Sequence, residues 1–350
     1  MKSNYKRLAP YIRQIDERNS EDVHYDLLGV SVEKCFIKSI ANTVGTDWRG
    51  YKKIRRKQFC YIPDTSRRGD KIGIALQSDY DIALVSQAYT VFEIIDTNEL
   101  LPEYLNLWFK RPEFDRYARF HSHGSVREIF DWDEMCNVEL PIPPLAEQQK
   151  IVDAYNTIEY RIELKRKINE NLELTLSAKF YNTFFSKEDI ERSKLSELIA
   201  FGNGKARPTS DGDIPVYGGN GILSYVGQHN NGNVVVIGRV GAYCGSIYLE
   251  RGKCWISDNA IYAKSKISKD EYFDYFLLKK LNLFEHHVGT GQQLLTQDIL
   301  NNIEVVKPNF ELIETFNQKA ESIFKSIFVN KNEIFLLQEL LKLLLSRLAG

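Results

Sequence analysis

The sequence predicts an α+β fold in which two mixed α/β segments alternate with two long helices. Two observations carry that expectation: a repeat at an offset of 165 residues, and two heptad runs of about 38 residues. An average globular helix has only about 12. Composition adds a third observation: 43% apolar and 12% aromatic residues in a chain of 350 supply cores for two domains of ordinary size.

The repeat is plainest where each globular segment ends. NVELPIPPL (137–145) aligns with NIEVVKPNF (302–310), pairing Val138-Glu139 with Ile303-Glu304, Pro143 with Pro308 and Leu145 with Phe310. At the same offset of 165, Asp133 meets Asp298 and Gly124 meets Gly289. Farther back, PEYLNLWFKR (102–111) resembles DEYFDYFLLK (270–279), with the offset drifting to 168.

The first segment, 1–143, carries a strand-like run at 81–95 (DIALVSQAYTVFEII) and a helix over 103–118. It ends in LPIPPLAEQQKIV (140–152). Pro141, Pro143 and Pro144 hold that stretch extended, and a proline suits the first turn of a helix, where its missing N–H is no loss. This is a stiff elbow, and it launches a long helix over 144–186. The second segment, 187–309, has a strand at 233–240 (NVVVIGRV), a helix over 271–284 and the turn-rich stretches GNGKARPTSDGD, YGGNG and HNNGN. Glycine and asparagine at this density mark loops with special backbone angles, and such loops hold binding residues. A second long helix fills 310–350.

In that last helix apolar residues fall at Phe316, Ala320, Ile323, Ile327, Ile334, Leu337, Leu341, Leu344 and Leu348, with Asn330 in the one polar slot. Subtracting 165 gives Ile151, Tyr155, Ile158, Ile162, Asn169, Leu172, Leu176, Lys179 and Thr183, with Lys165 in the slot of Asn330. Shared length, phase and polar interruption favour a coiled coil over two helices of an ordinary bundle. A lone polar residue in such a seam costs stability but fixes register.

Catalytic motifs are missing. Gly204-Lys205 is followed by Ala206 and lacks the first glycine of a phosphate loop. His286-His287 has no partners at metal spacing, and no Asn/Asp-Pro-Pro-aromatic run of the amino-methyltransferase kind occurs. Glu163-Leu164-Lys165 resembles half a nuclease signature, but inside a helix it reads as surface charge. Neither His24 with Asp26 nor Ser86 with Asp81 has hydrolase spacing. Cys35, Cys60, Cys136, Cys244 and Cys254 are odd in number and form no CxxC pair, which suits reduced thiols in a cytoplasmic chain without a zinc site. No run of about 18 apolar residues occurs, and the polar Met-Lys-Ser-Asn opening has no apolar region behind it, so neither membrane span nor signal peptide is expected. The net charge of −1 decides nothing about nucleic acid; its distribution matters more.

Cationic and polar loops are what remains. Arg49, Lys52, Lys53, Arg55, Arg56, Lys57, Arg67, Arg68 and Lys71 stand against only Asp47, Asp64 and Asp70, with Tyr51, Phe59 and Tyr61 interleaved. Arg119, His121, His123, Ser125 and Arg127 form a second patch, and its repeat partner carries Thr290, Gln292 and Gln293. In the second segment Lys205, Arg207, Tyr217, Asn220, Arg239 and Tyr243 stand among glycines. Lys and Arg neutralise phosphates, while Arg, Gln and Asn can pair with base edges. For any single residue a solvated charged face is as good a reading; together they favour DNA. Lys52, Lys53 and Lys57 are expected on phosphates, Arg127 and Gln292 on bases.

These residues resemble the specificity subunit of Type I restriction–modification enzymes, over essentially the whole chain. The elbow LPIPPLAEQQKIV, the loop GTGQQLLTQDILNNIEV and the opening IPVYGGNGILSYV carry the resemblance, and LLGVSVEKCFI and ANTVGTDWRGYKKI resemble one class of its target-recognition domains. The second elbow, VVKPNFELIETF, departs from it, having lost the proline cluster and the Glu-Gln-Gln. The resemblance implies that 1–143 and 187–309 each read one half of a bipartite, asymmetric site on double-stranded DNA. It also implies that the helices of 144–186 and 310–350 pair antiparallel, with a pseudo-two-fold relation and a fixed gap between half-sites. Implied partners are two methyltransferase subunits using S-adenosylmethionine on adenine, and two motor–nuclease subunits using ATP and Mg²⁺. The chain itself would hold no cofactor. A coiled-coil scaffold without DNA, or a recognition half detached from a single-chain restriction–methylation enzyme, stay open as alternatives.

Overall fold

The structure, a computed structural model, describes residues 5–39, 47–66, 69, 71–124, 127–186, 191–289 and 291–348. The chain divides into two compact units, residues 1–164 with 334–350, and residues 165–333. Both division points fall inside a long helix, so each unit keeps part of both helices.

Unit 1 opens with β1 (Tyr5–Arg7), β2 (Ile12–Ile15), β3 (Leu27–Val30), β4 (Phe36–Lys38) and β5 (Lys52–Arg55). Then come β6 (Phe59–Tyr61), β7 (Ile74–Leu76), β8 (Ile82–Val85) and β9 (Thr90–Ile94). They form two four-stranded sheets, β2-β9-β6-β7 and β4-β3-β8-β5, antiparallel except where β3 meets β8. The strand run read at 81–95 is β8 and β9, separated by a turn in which Tyr89 N donates to Ser86 O (3.0 Å). The single helix expected over 103–118 is two, α1 (Pro102–Phe109) and α2 (Pro112–Phe120). Pro112 offers no N–H and forces Arg111 to an extended ψ of 137°, so the helix breaks there. Beneath lies an aromatic core in which Phe59 stacks on Phe92 at 4.9 Å and both meet Phe109 edge-on.

The unit closes through α3 (Trp132–Asn137) and β10 (Glu139–Pro141), which pairs with β1 so that Tyr5 faces Pro141. The elbow then releases α4 (Leu145–Phe184), 40 residues long. Stiffness is only half of what the elbow does. Gln148, fully buried, accepts from Leu101 N (2.9 Å) and donates to Glu99 O and Pro143 O (both 2.8 Å), so the first turn of the long helix is tied to the start of α1.

Unit 2 begins with β11 (Arg192–Lys194), α5 (Leu195–Leu198) and β12 (Ile199–Asn203). It continues with β13 (Ile214–Gly218), β14 (Gly221–Val226), β15 (Asn231–Gly238), β16 (Ile247–Ile256) and β17 (Ala260–Ser265). One six-stranded sheet results, in the order β12-β17-β15-β16-β13-β14. After it come α6 (Tyr272–Lys280), α7 (Gln297–Asn302), β18 (Glu304–Val306) and α8 (Phe310–Arg347). β18 pairs with β11 as β10 does with β1, and α7, β18 and α8 each start 165 residues after α3, β10 and α4. Asn317, fully buried on α8, accepts from Phe273 N (2.9 Å) and donates to Ser268 Oγ and Asp270 O. The second elbow thus lacks Glu-Gln-Gln but recovers the amide clamp one helical turn later.

Within unit 2 the helices run antiparallel. Lys165 Nζ donates to Asn330 Oδ1 (3.0 Å) and pairs with Glu333 (2.7 Å), while Asn330 Nδ2 donates to Asn169 Oδ1 (2.8 Å). Nearer the other end of this part, Phe180 meets Phe316 at 5.6 Å. Ile162, Leu176 and Ile327 are buried in the seam; Ile158, Leu172, Ile323, Ile334 and Leu337 are half-buried. In unit 1, Ile151 and Tyr155 share a core with Leu341, Leu344 and Leu348. The strict heptad read on α4 holds only to Leu176. Phe180 and Phe184 are buried beyond it and Lys179 is exposed, because here the helix packs into the core of unit 2 and a lysine in that position would bury its charge.

Asp274, on α6, is fully buried, and burial pushes its carboxyl up to about 7 despite the Ser265 hydroxyl beside it. An unfolded aspartate titrates near ~4. Between those values the folded state holds a proton that the unfolded state has lost, so unit 2 should lose stability as pH rises through that window and then level off. Asn106 takes the corresponding place on α1. Asp274→Asn should flatten the dependence and stabilise unit 2 at pH 8, read from urea midpoints at pH 5 and 8; an unaltered pH slope would assign the effect to other groups.

Candidate nucleic-acid interface

Glycine determines the local geometry at one place in each unit. Gly124 (φ 139°) and Gly289 (φ 94°) adopt angles that side chains rarely take, and a Cβ on either would fall on the carbonyl three residues ahead, of Arg127 or of Gln292. Each glycine opens a tight hairpin. His123 and Ile129 exchange both backbone hydrogen bonds (3.1 and 2.9 Å), and Val288 and Leu294 do the same 165 residues on (2.9 and 3.0 Å).

A second segment clamps each hairpin by the same pair of bonds. In unit 1, Phe130 N donates to Pro63 O (2.9 Å) and Thr65 N to Glu128 O (3.0 Å). In unit 2, Leu295 N donates to Arg239 O (2.9 Å) and Gly241 N to Gln293 O (3.0 Å). Pro63–Thr65 and Arg239–Gly241 are therefore equivalent, a correspondence that no sequence pattern announced. The hairpin strands continue into α3 and α7, capped by Asp131 and Thr296 at matching positions.

In unit 2 further loops meet this clamp. Arg239 N donates to Asn259 O (3.0 Å), and Lys205 N to Ile256 O (2.9 Å). Gly219, in the turn between β13 and β14, lies against Tyr243, Val240 and Asn259, and its carbonyl accepts from the Ser246 hydroxyl. So Lys205, Asn220, Arg239, Tyr243, Gln292 and Gln293 come from four separate stretches to neighbouring loops, Arg239 and Tyr243 sharing one, and Arg207 follows Lys205 on the first of them. Lys205, Arg207, Asn220, Tyr243 and Gln292 are exposed, while the Arg239 Nε is buried without a hydrogen-bond partner among the described residues. Tyr217 differs from expectation: it is buried in the sheet with its hydroxyl donating to Glu250 (2.9 Å), so its ring faces the core.

Unit 1 corrects more of the sequence reading. Lys52 and Lys53, expected on phosphates, are buried on β5. Lys52 Nζ donates to Tyr89 O (2.9 Å) and pairs with Asp16 (3.2 Å); Lys53 pairs with Glu21 (3.7 Å) and Glu17 (3.9 Å). Arg55 forks onto Glu17 (2.7 and 2.9 Å), Arg56 pairs with Asp81 (2.9 Å), and Lys57 reaches Glu103 (3.9 Å). The Arg55 pairing holds the Glu17 carboxyl below the usual carboxylate range. At the hairpin, Arg119 pairs with Glu128, and Glu134 receives His121 Nδ1 (3.1 Å) and His123 Nε2 (3.5 Å). Arg127 is exposed and has no side-chain partner among the described residues. Arg67, Arg68, Ser125 and Thr290 lie outside the described residues. Among the described residues no group of His, Cys, Asp and Glu could hold a metal ion, and no helix is long and apolar enough to cross a membrane.

Known proteins bear on this arrangement. The family model of the Type I restriction modification DNA specificity domain matches residues 52–174 and 187–342. The HindI specificity subunit of a Type I restriction enzyme from Haemophilus influenzae is 27% identical over 175 residues, 49% of this chain but 37% of that one. This chain thus matches little more than a third of that relative's length. The MjaIX specificity subunit from Methanocaldococcus jannaschii is 22% identical over 307 residues, covering 73% of this chain and 70% of that one. The crystal structure of a Type I restriction-modification S subunit from M. genitalium shares the fold, with a TM-score of 0.62 at 16% identity, over 99% of this chain and 96% of that one. With the family model matching most of its length in two stretches, one through each unit, the chain belongs to the Type I restriction modification DNA specificity domain family.

Proposed function

We propose that this chain is the DNA-recognition subunit of a Type I restriction–modification enzyme. The segments 1–143 and 187–309 would each read one half of a bipartite site in double-stranded DNA, and the helices 144–186 and 310–350 would serve as spacer and as docking surface for two methyltransferase subunits. Two motor–nuclease subunits would complete the assembly. The chain would catalyse nothing itself: S-adenosylmethionine, ATP and Mg²⁺ would be held by the partners, in the cytoplasm.

One observation supports this reading above the rest. The same glycine hairpin, clamped by the same four backbone bonds, recurs in both units, while the side chains it offers differ: Arg127 in one, Gln292 in the other. A shared frame with different polar tips is what two readers of different sequences need, since Arg suits guanine and Gln suits adenine. The test is a map of methylated adenines in cells carrying this chain with its methyltransferase, joined to fluorescence anisotropy on duplexes containing the mapped site. A bipartite methylated site is the expected result; no sequence-dependent binding by the complex would overturn the proposal.

Arg127→Ala and Gln292→Ala should each relax specificity in one half-site only, at about 1–3 kcal/mol, because a lost bidentate contact affects the right base more than the wrong one. Equal losses on cognate and random duplexes would show that the residue does not read a base.

A further inference from the structure

The most exposed large apolar side chain among the described residues is Phe120, 82% exposed at the last position of α2. It stands four residues before Gly124. Five residues before Gly289, at the head of the equivalent hairpin, stands Phe284, also exposed at 44%. Each ring is backed by a histidine: His121 lies 5.1 Å from Phe120, nearly edge-on, and His287 lies 4.8 Å from Phe284. Neither support is loose. His121 lies tilted against Tyr117 at 4.2 Å and is held by Glu134, and His287 Nδ1 lies 2.5 Å from Phe284 O. The turn that carries Tyr243 presses on Phe284 as well, for a Cβ on Gly245 would come within 2.5 Å of the Phe284 nitrogen.

We infer that Phe120 and Phe284 are wedge residues, rings pressed between adjacent base pairs of the duplex at the two half-sites. The inference rests on the DNA-recognition role proposed above. A protein-docking face would be a contiguous apolar patch. Phe120 instead stands among polar residues, with Arg119 paired to Glu128 and His121 and His123 to Glu134. Among the described residues of its hairpin, Ile129 is the other exposed apolar residue, and Arg127 is the cation without a side-chain partner. A lone ring and a lone cation suit a partner whose surface is anionic and whose interior is a stack of flat rings. Proteins that bend DNA insert such apolar side chains at base steps, and the step that opens most cheaply is pyrimidine–purine. Each half-site should therefore contain such a step at the position facing its ring.

The test uses the full chain with its methyltransferase partner and duplexes carrying the mapped site, with 2-aminopurine substituted in turn for each adenine outside the methylated one, since the methyltransferase flips its own target independently. Binding should raise fluorescence at one position in each half-site. Phe120→Ala should abolish the rise in the half read by unit 1, several-fold or more, while leaving the other half and the salt slope unchanged; Phe284→Ala should do the reverse, and Phe120→Leu should keep the signal. Full binding by Phe120→Ala with the rise intact would overturn the wedge and leave DNA recognition standing. Failure of the unmutated complex to prefer the site over random DNA would instead overturn the recognition role, and the wedge with it.

Discussion

Asp115→Ala should destabilise unit 1 by about 3–5 kcal/mol, the cost of leaving a buried charge without its partner. In a unit of this size that corresponds to a fall of roughly 10 °C or more in its unfolding midpoint. Lys34 sits at φ 62° with its side chain only 6% exposed; its ammonium donates to Ile72 O (2.6 Å) and pairs with Asp115 on α2. The same carboxylate oxygen accepts from Ile72 N (3.1 Å). Burial pulls the Lys34 pKa below the usual lysine value, and the carboxylate opposes it. Removing the carboxylate therefore strands both a cation and a backbone N–H. Lys34→Met combined with Asp115→Asn should cost far less, because no buried charge remains and the amide oxygen can still accept from Ile72. Urea unfolding of the two variants, with the transition of unit 2 as internal reference, checks this. Equal losses for the single and double variants would mean the ion pair is not what holds the 31–35 turn to α2.

Periodicity was legible in this sequence and partnership was not. The long helices, their elbows and the 165-residue offset are local patterns, and a heptad or a proline cluster acts on its own neighbours wherever the rest of the chain goes. Gly124 and Gly289 were legible for the same reason. The break at Pro112 is equally local, and reading 103–118 as one helix overlooked it. The ribbons that close each unit, Tyr5–Arg7 on Glu139–Pro141 and Arg192–Lys194 on Glu304–Val306, are only three residues long and present no alternation to read. Charge misled most. Counting cations from Asp47 to Lys71 implied a bare basic surface, but Lys52 is bridged to Arg18, Lys53 N donates to Glu17 O, and these contacts carry Asp16 and Glu17 to the lysines. A local excess of charge becomes a surface only when no distant strand brings its counter-charges, and at β5 one does.

The remaining large effect concerns the two long helices as a ruler. α4 starts in unit 1 and ends in unit 2, and α8 returns the other way, so a change of length is tolerable only if both helices share it. The polar layer of Lys165, Asn169, Asn330 and Glu333 fixes where the helices match. Inserting one heptad between Leu164 and Lys165 and another between Glu333 and Ile334 leaves that layer whole and both seams in phase. Each helix then gains about 10 Å at 1.5 Å per residue. Duplex DNA rises about 3.4 Å per base pair, so on the recognition role proposed above the unread spacer of the methylated site should lengthen by roughly three base pairs. The half-site words should stay as they were, because the hairpins at Gly124 and Gly289 are untouched. A heptad in one helix alone should abolish methylation: the seam would have to slip seven residues on one side, setting Lys165 against apolar positions instead of Asn330, and an unpaired lysine in a seam is costly. Mapping methylated adenines for the parent, the double insertion and each single insertion decides the matter. An unchanged spacer with methylation intact in the double insertion would mean that the gap between half-sites is set elsewhere, by the way each unit's loops meet the duplex.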